Sequence, residues 1–257
     1  MTHLARDIME SALSVAFLSD ISKWLTLNIG LYKGFWEIIQ NAYTITQIVG
    51  FALMTTFFLK ALLQESSKDN LTIETLGRLM IGLVLSLTVI IHIPEITNAF
   101  LMIAESISSK ILGDTVSLND YAANVAEACA TWKENTPNPI AFIQALAFLL
   151  VHQICVIAFD FAVISRAFDI GWRVAIAPIS CADMFNGENS SGVRHLKSIF
   201  GSALVAVVIA IIAKAGAVLV SGFISSGMEG SMWMGIACQA AMAGVAIGAN
   251  QKAKEIL

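Results

Sequence analysis

Residues 198–223, SIFGSALVAVVIAIIAKAGAVLVSGF, contain a single charged side chain, Lys214. A run that long and apolar matches the roughly 20 residues needed to cross the hydrocarbon of a bilayer. Within lipid the backbone must satisfy its own hydrogen bonds, so such a run is read as a helix. Comparable runs recur at about 42–63, 77–104, 139–165 and 232–250. The expected fold is therefore all-α, a polytopic helical integral membrane protein with about five transmembrane helices. Only 13% of the 257 residues are charged, against roughly 25% in soluble domains, and too few polar segments remain to build one.

The remaining segments are read in chain order. Residues 1–41 read as an amphipathic N-terminal arm. Leu4, Ile8, Ala12, Val15 and Leu18 follow helical spacing, and Trp24, Phe35 and Trp36 lie among Lys23, Lys33 and Glu37. Trp and Lys beside apolar residues suit the headgroup level, and ordinary helices packed on the bundle fit the pattern equally well. Residues 42–257 form the transmembrane domain. Pro94 interrupts the second span just after His92, where a missing N–H should kink the helix. The polar stretch 105–138 is acidic, with Glu105, Asp114, Asp120, Glu127 and Glu134 against Lys110 and Lys133. The segment 166–197 reads as the best-marked loop, between the third and fourth spans.

Basic residues at span ends set orientation. One side collects nine: Lys60, Lys68, Arg78, Arg166, Arg173, Arg194, Lys197, Lys252 and Lys254. The other collects five: Arg6, Lys23, Lys33, Lys110 and Lys133. The expected topology places the N-terminus outside and the C-terminus in the cytoplasm. The net charge of −4 argues against a dedicated nucleic-acid binder, which would carry a basic face.

Ionisable groups inside spans are expensive and mark function by default. Here they are His92, His152, Asp160 and Lys214. Asp160 and Lys214, on neighbouring spans, are a candidate pair. A structural role or a water-filled lining fits better than a proton path, because no chain of relays follows them. Catalysis finds no support. The four His residues are scattered, and neither HExxH nor GxSxG occurs. No catalytic residue, metal ligand or cofactor is assigned, and the chain is not expected to be an enzyme. The four Cys residues, Cys129, Cys155, Cys181 and Cys238, form no CxxC motif. Spans four and five are rich in Gly and Ala, and Gly244 and Gly248 stand in GxxxG spacing. Small residues permit close helix approach, within the chain or between subunits.

The residues at 166–197 carry a family resemblance. Arg166, the Arg173-x-Ala175-x-Ala177-Pro178 run, Ala182 with Asp183, and SSGVRHLK at 190–197 precede a span rich in small residues. This pattern resembles the TrbL-like polytopic inner-membrane channel subunits of type IV secretion systems, the conjugation machines. His195 stands where an aromatic residue would be expected. The resemblance implies an oligomeric subunit in the cytoplasmic (inner) membrane, in contact with lipid and other secretion subunits. It also implies that the subunit helps move DNA or protein across that membrane. It further implies that energy comes from partner ATPases, and this chain has no GxxxxGK[ST] loop of its own. Arg166, Arg173, Pro178, Arg194 and Lys197 are then the candidate coupling loop. A small-solute or ion channel or transporter, and a purely structural membrane scaffold, are the competing expectations.

Overall fold

A computed structural model describes residues 33–67, 72–113, 138–187, 189–226, 231–249 and 251. Among these residues the fold is all-α. Helix α1 is Lys33–Ser66, α2 is Ile73–Gly113 and α3 is Asn138–Ser180. A 3-10 turn, Cys181–Asn186, follows, then α4 at Ser191–Ser225 and α5 at Ser231–Ile247. The first four helices are long and apolar enough to cross a membrane, which makes this a polytopic helical membrane protein. Helix α5, with 17 residues, is shorter, at about 26 Å.

Several boundaries differ from the sequence reading. Residues 33–41 belong to α1 rather than to a separate arm. No proline interrupts 33–66, so helical hydrogen bonding carries through. Residues 1–32 lie outside the described residues, as does 114–137 of the acidic stretch. Residues 105–113 complete α2. The expected loop at 166–197 is mostly helix. Residues up to Ser180 extend α3 through Pro178, and Ser191 already begins α4.

The described residues fall into two compact units. One comprises residues 33–103 and 166–204, and the other 104–165 and 205–251, within those described. In the first unit α1 turns a narrow stripe inward: Trp36, Tyr43, Gly50 and Met54 are buried. Its other faces expose Ile38, Ile45, Ile48, Leu59 and Leu63, as a helix meeting lipid would.

Helices α1 and α3 run parallel in this unit. Phe35 meets Phe168 edge-on at 5.8 Å, and further along Phe58 meets Phe185 at 6.2 Å. Phe35 and Phe58 lie about 35 Å apart along α1, with Trp36 and Trp172 beside the first contact and Lys60 beside the second.

Helix α2 bends at His92, whose φ of −107° and ψ of 15° leave the helical region. Pro94 is the cause. It has no N–H to give the Ile90 carbonyl four residues earlier. The Tyr43 hydroxyl donates to that carbonyl, and it lies 3.2 Å from the Ile91 carbonyl as well.

In the second unit the small face of α4 is spent on packing within the chain. Ala206, Ala210 and Ala213 are fully buried, and Gly216 lies against Met242 of α5. A Cβ on Gly216 would stand 2.2 Å from the Met242 sulfur.

Candidate functional site

Arg166, Asp169 and Arg173 occur at spacings of three and four in α3, which puts them on one helix face. That face meets the first four turns of α4. Arg166 is 1% exposed. Its guanidinium donates to the carbonyls of Ser202 and Ala203, each at 3.3 Å. The small side chains at 202 and 203 let the arginine reach the α4 backbone. Asp169 accepts a hydrogen bond from the Ser202 hydroxyl and pairs with Arg173 at 3.1 Å.

Arg173 lies over the Trp172 ring, 4.7 Å from its centroid, an added cation–π attraction. Arg173 and His195 then close a ring of bonds between the helices. The Arg173 guanidinium donates to Ser198 Oγ at 2.6 Å. Ser198 Oγ donates to the His195 carbonyl at 2.7 Å, and His195 Nε2 meets the Arg173 carbonyl at 2.9 Å. Charged hydrogen bonds of this kind are roughly twice as strong as neutral ones. The hairpin is cross-linked where the sequence suggested a loop.

The turn between the helices is closed by Asp183. One carboxylate oxygen accepts from the Ser191 hydroxyl at 2.8 Å and the Gly192 amide at 3.1 Å. The other accepts from the Ser191 amide at 3.1 Å. Ser190 Oγ accepts from the Val193 amide at 3.3 Å. Together these satisfy the open amides at the start of α4 and place a negative charge at the positive end of its dipole. Gly187, with φ of 93°, occupies the left-handed region that the turn requires and that glycine adopts without strain.

Pro178 is supported from α1. Thr46 Oγ1 donates to the Ala175 carbonyl at 2.5 Å. Gly50 lies so close that a Cβ there would be 2.6 Å from the Pro178 carbonyl oxygen. Of the five candidate coupling residues, three are therefore internal: Arg166, Arg173 and Pro178. Arg194 and Lys197 are exposed near the hairpin tip.

The candidate intramembrane polar residues differ in burial. His92 lies at the kink of α2, 3.8 Å from Glu95, with both side chains exposed. His152 is buried, with its Nδ1 3.3 Å from the Gln239 amide nitrogen and its ring parallel to Phe148. Lys214 donates to the Ile111 carbonyl at 2.6 Å, in the last turn of α2, where carbonyls lack helical partners. Asp160 is on an exposed face of α3. Among the described residues Gly244 and Gly248 meet no other helix. A Cβ on Gly244 would meet nothing within 4 Å, and one on Gly248 would meet only carbonyls of α5 itself. Among the described residues no group of His, Cys, Asp and Glu is arranged to hold a metal ion.

Sequence reading missed Asp169, Ser198, Ser202, Tyr43, Thr46 and Gln239 as partners. The Asp169–Arg173 spacing of four was a legible signal. The serines carried none, because a serine in a small-residue span reads equally well as packing. Comparison with protein families, curated proteins and solved structures returns no match for this chain.

Proposed function

We propose that this chain is an inner-membrane channel or scaffold subunit of a conjugative type IV secretion system. In this reading it assembles as an oligomer and helps translocate DNA or protein across the cytoplasmic membrane. One observation carries the reading. The residues behind the TrbL-like resemblance are the working parts of a single cross-linked hairpin. Arg166 and Arg173 bind α4, Pro178 meets α1 and Asp183 caps α4. The hairpin tip then presents Arg194 and Lys197 as its exposed cations. They are suited to partner acids, anionic headgroups or DNA phosphates, while partner ATPases supply the energy.

The same placement refines the orientation. Arg166 and Arg173 lie inside the unit and leave the comparison of span-end charges. The side with Lys60 still leads, seven to five. A cytoplasmic hairpin tip and C-terminus, with the N-terminus outside, follow from the positive-inside rule.

The test is a conjugation assay on full-length variants with membrane abundance measured alongside. Arg194→Glu with Lys197→Glu is expected to abolish transfer at normal abundance. Normal transfer by that double variant would remove the coupling role. Cysteine labelling in intact cells at positions 120 and 194 tests the topology, with only position 120 expected to react, because Arg194 is exposed at the hairpin tip.

A further inference from the structure

The last turns of α1 face the hairpin turn across a cleft of about 470 Å³. Its walls are apolar toward the span, from Leu53, Phe57 and Ile179, and polar toward the end, from Lys60, Gln64 and Asn186. A second groove of about 490 Å³, walled by Leu59, Leu63 and Thr56, shares Lys60 and Gln64. One cation thus borders both grooves, near the edge-on contact of Phe58 and Phe185. Among the described residues Lys60 forms no ion pair. Asp183 also borders the first cleft, but both of its oxygens already accept hydrogen bonds from the start of α4. It is therefore a weak competitor for the ammonium group.

We infer that Lys60 and Gln64 bind the phosphate of an anionic diacyl phospholipid, one acyl chain lying in each groove. The charge matches, because Lys60 supplies a cation where the lipid brings an anion. The form matches too. A two-chain lipid needs two channels that meet at one polar point, and the two grooves share Lys60 and Gln64. A snorkelling lysine at a span end would satisfy the charge alone. The paired grooves distinguish a site from general attraction to a charged leaflet.

The test uses the full-length protein in zwitterionic micelles, with retained lipid counted by native mass spectrometry. The probes are phosphatidylglycerol, phosphatidylcholine and the soluble headgroup glycerol phosphate. Phosphatidylglycerol is expected to be retained, phosphatidylcholine much less, and glycerol phosphate not at all. Lys60→Gln should weaken retention by about fivefold, the effect of one juxtamembrane charge, and Lys60→Arg should preserve it. Lys197→Gln removes an equally exposed charge outside the cleft and should leave retention unchanged. Ala61→Phe fills the first cleft while keeping the lysine, and should also lower retention.

Equal losses from Lys60→Gln and Lys197→Gln would overturn the site in favour of bulk electrostatics. Equal retention of phosphatidylcholine would overturn anion recognition, and binding of glycerol phosphate alone would identify a free-phosphate site. Melting curves on each variant show whether it is folded. An unfolded Ala61→Phe protein leaves the decision to Lys60→Gln, whose side chain packs at the surface.

Discussion

The Tyr43 hydroxyl bonds the Ile90 carbonyl, the backbone group that Pro94 leaves without a helical donor. A carbonyl unsatisfied in an apolar setting is costly. The tyrosine lets a bend persist in α2 without that cost. Proline and tyrosine therefore act as a pair, although 51 positions separate them in the sequence.

That coupling is measurable. Tyr43→Phe is expected to destabilise the protein by about 1–3 kcal/mol, the cost of leaving a buried acceptor open. In a Pro94→Ala background the helix can supply its own N–H, and the same change should cost much less. Thermal denaturation of the four proteins of the cycle in one detergent gives the interaction energy. Equal costs in both backgrounds would show that the hydroxyl does not serve the proline.

Gly50 and Pro178 give a steric counterpart. A methyl group at position 50 would meet backbone atoms, which cannot swing aside. Gly50→Ala should cost about 1–3 kcal/mol through overpacking. Gly77→Ala, in the same unit and facing open space, should be neutral or slightly stabilising because alanine is the better helix former. The two melting temperatures, compared in one detergent, decide the matter.

How much of this was legible beforehand differs from residue to residue. The spans followed from hydropathy, because lipid leaves few alternatives for a long apolar run. The kink at His92 followed from Pro94. The interval 166–197 misled because Arg166, Asp169 and Arg173 are charged, and charge in a membrane protein usually marks a loop. Their i, i+3, i+7 spacing was compatible with a helix facing a partner, but the partner surface consists of carbonyls and serines of α4. Backbone carbonyls leave no trace in a sequence pattern. Gly244 and Gly248 were legible only as a face that can approach another helix, within the chain or between subunits, and among the described residues a Cβ on Gly244 meets nothing within 4 Å.

The ion pair inside the hairpin makes arginine identity matter for folding rather than for partners. Asp169→Asn is expected to cost roughly 3 kcal/mol by leaving Arg173 without its carboxylate. Arg173→Lys loses the planar fork that reaches Asp169 and Ser198 together, so its membrane abundance should fall. Arg194→Lys, at an exposed position, should accumulate normally. Immunoblotting of membrane fractions separates these outcomes.

Removing the Asp183 carboxylate should loosen the start of α4. Asp183→Ala is expected to cost about 1 kcal/mol, as for loss of a helix cap. Hydrogen exchange should accelerate at Ser191 and Gly192 and remain slow beyond Ser202. Uniform acceleration along α4 would assign the carboxylate a global role.

Gly244→Leu and Gly248→Leu place bulk on a face that meets no other helix among the described residues. Both proteins should fold with unchanged melting temperature, while a homo-oligomer that uses this face should lose mass by light scattering in detergent. Unchanged mass in both variants would exclude the face from assembly.

The narrow inward stripe of α1 also bears on the order in which the chain is made. Tyr43 leaves the ribosome before Pro94, so the hydroxyl is already in the bilayer when the carbonyl that needs it arrives 47 residues later. Thr46 and Gly50 wait longer, since the α3 carbonyl that Thr46 bonds is 129 residues away. Insertion therefore has two stages: an early α1–α2 pair closed by one phenol, then a late arrival of α3 against a surface already in place. Chains long enough for residue 113 to have left the ribosome should already be protected at the first of these contacts, while Gly50 remains accessible until α3 has been threaded.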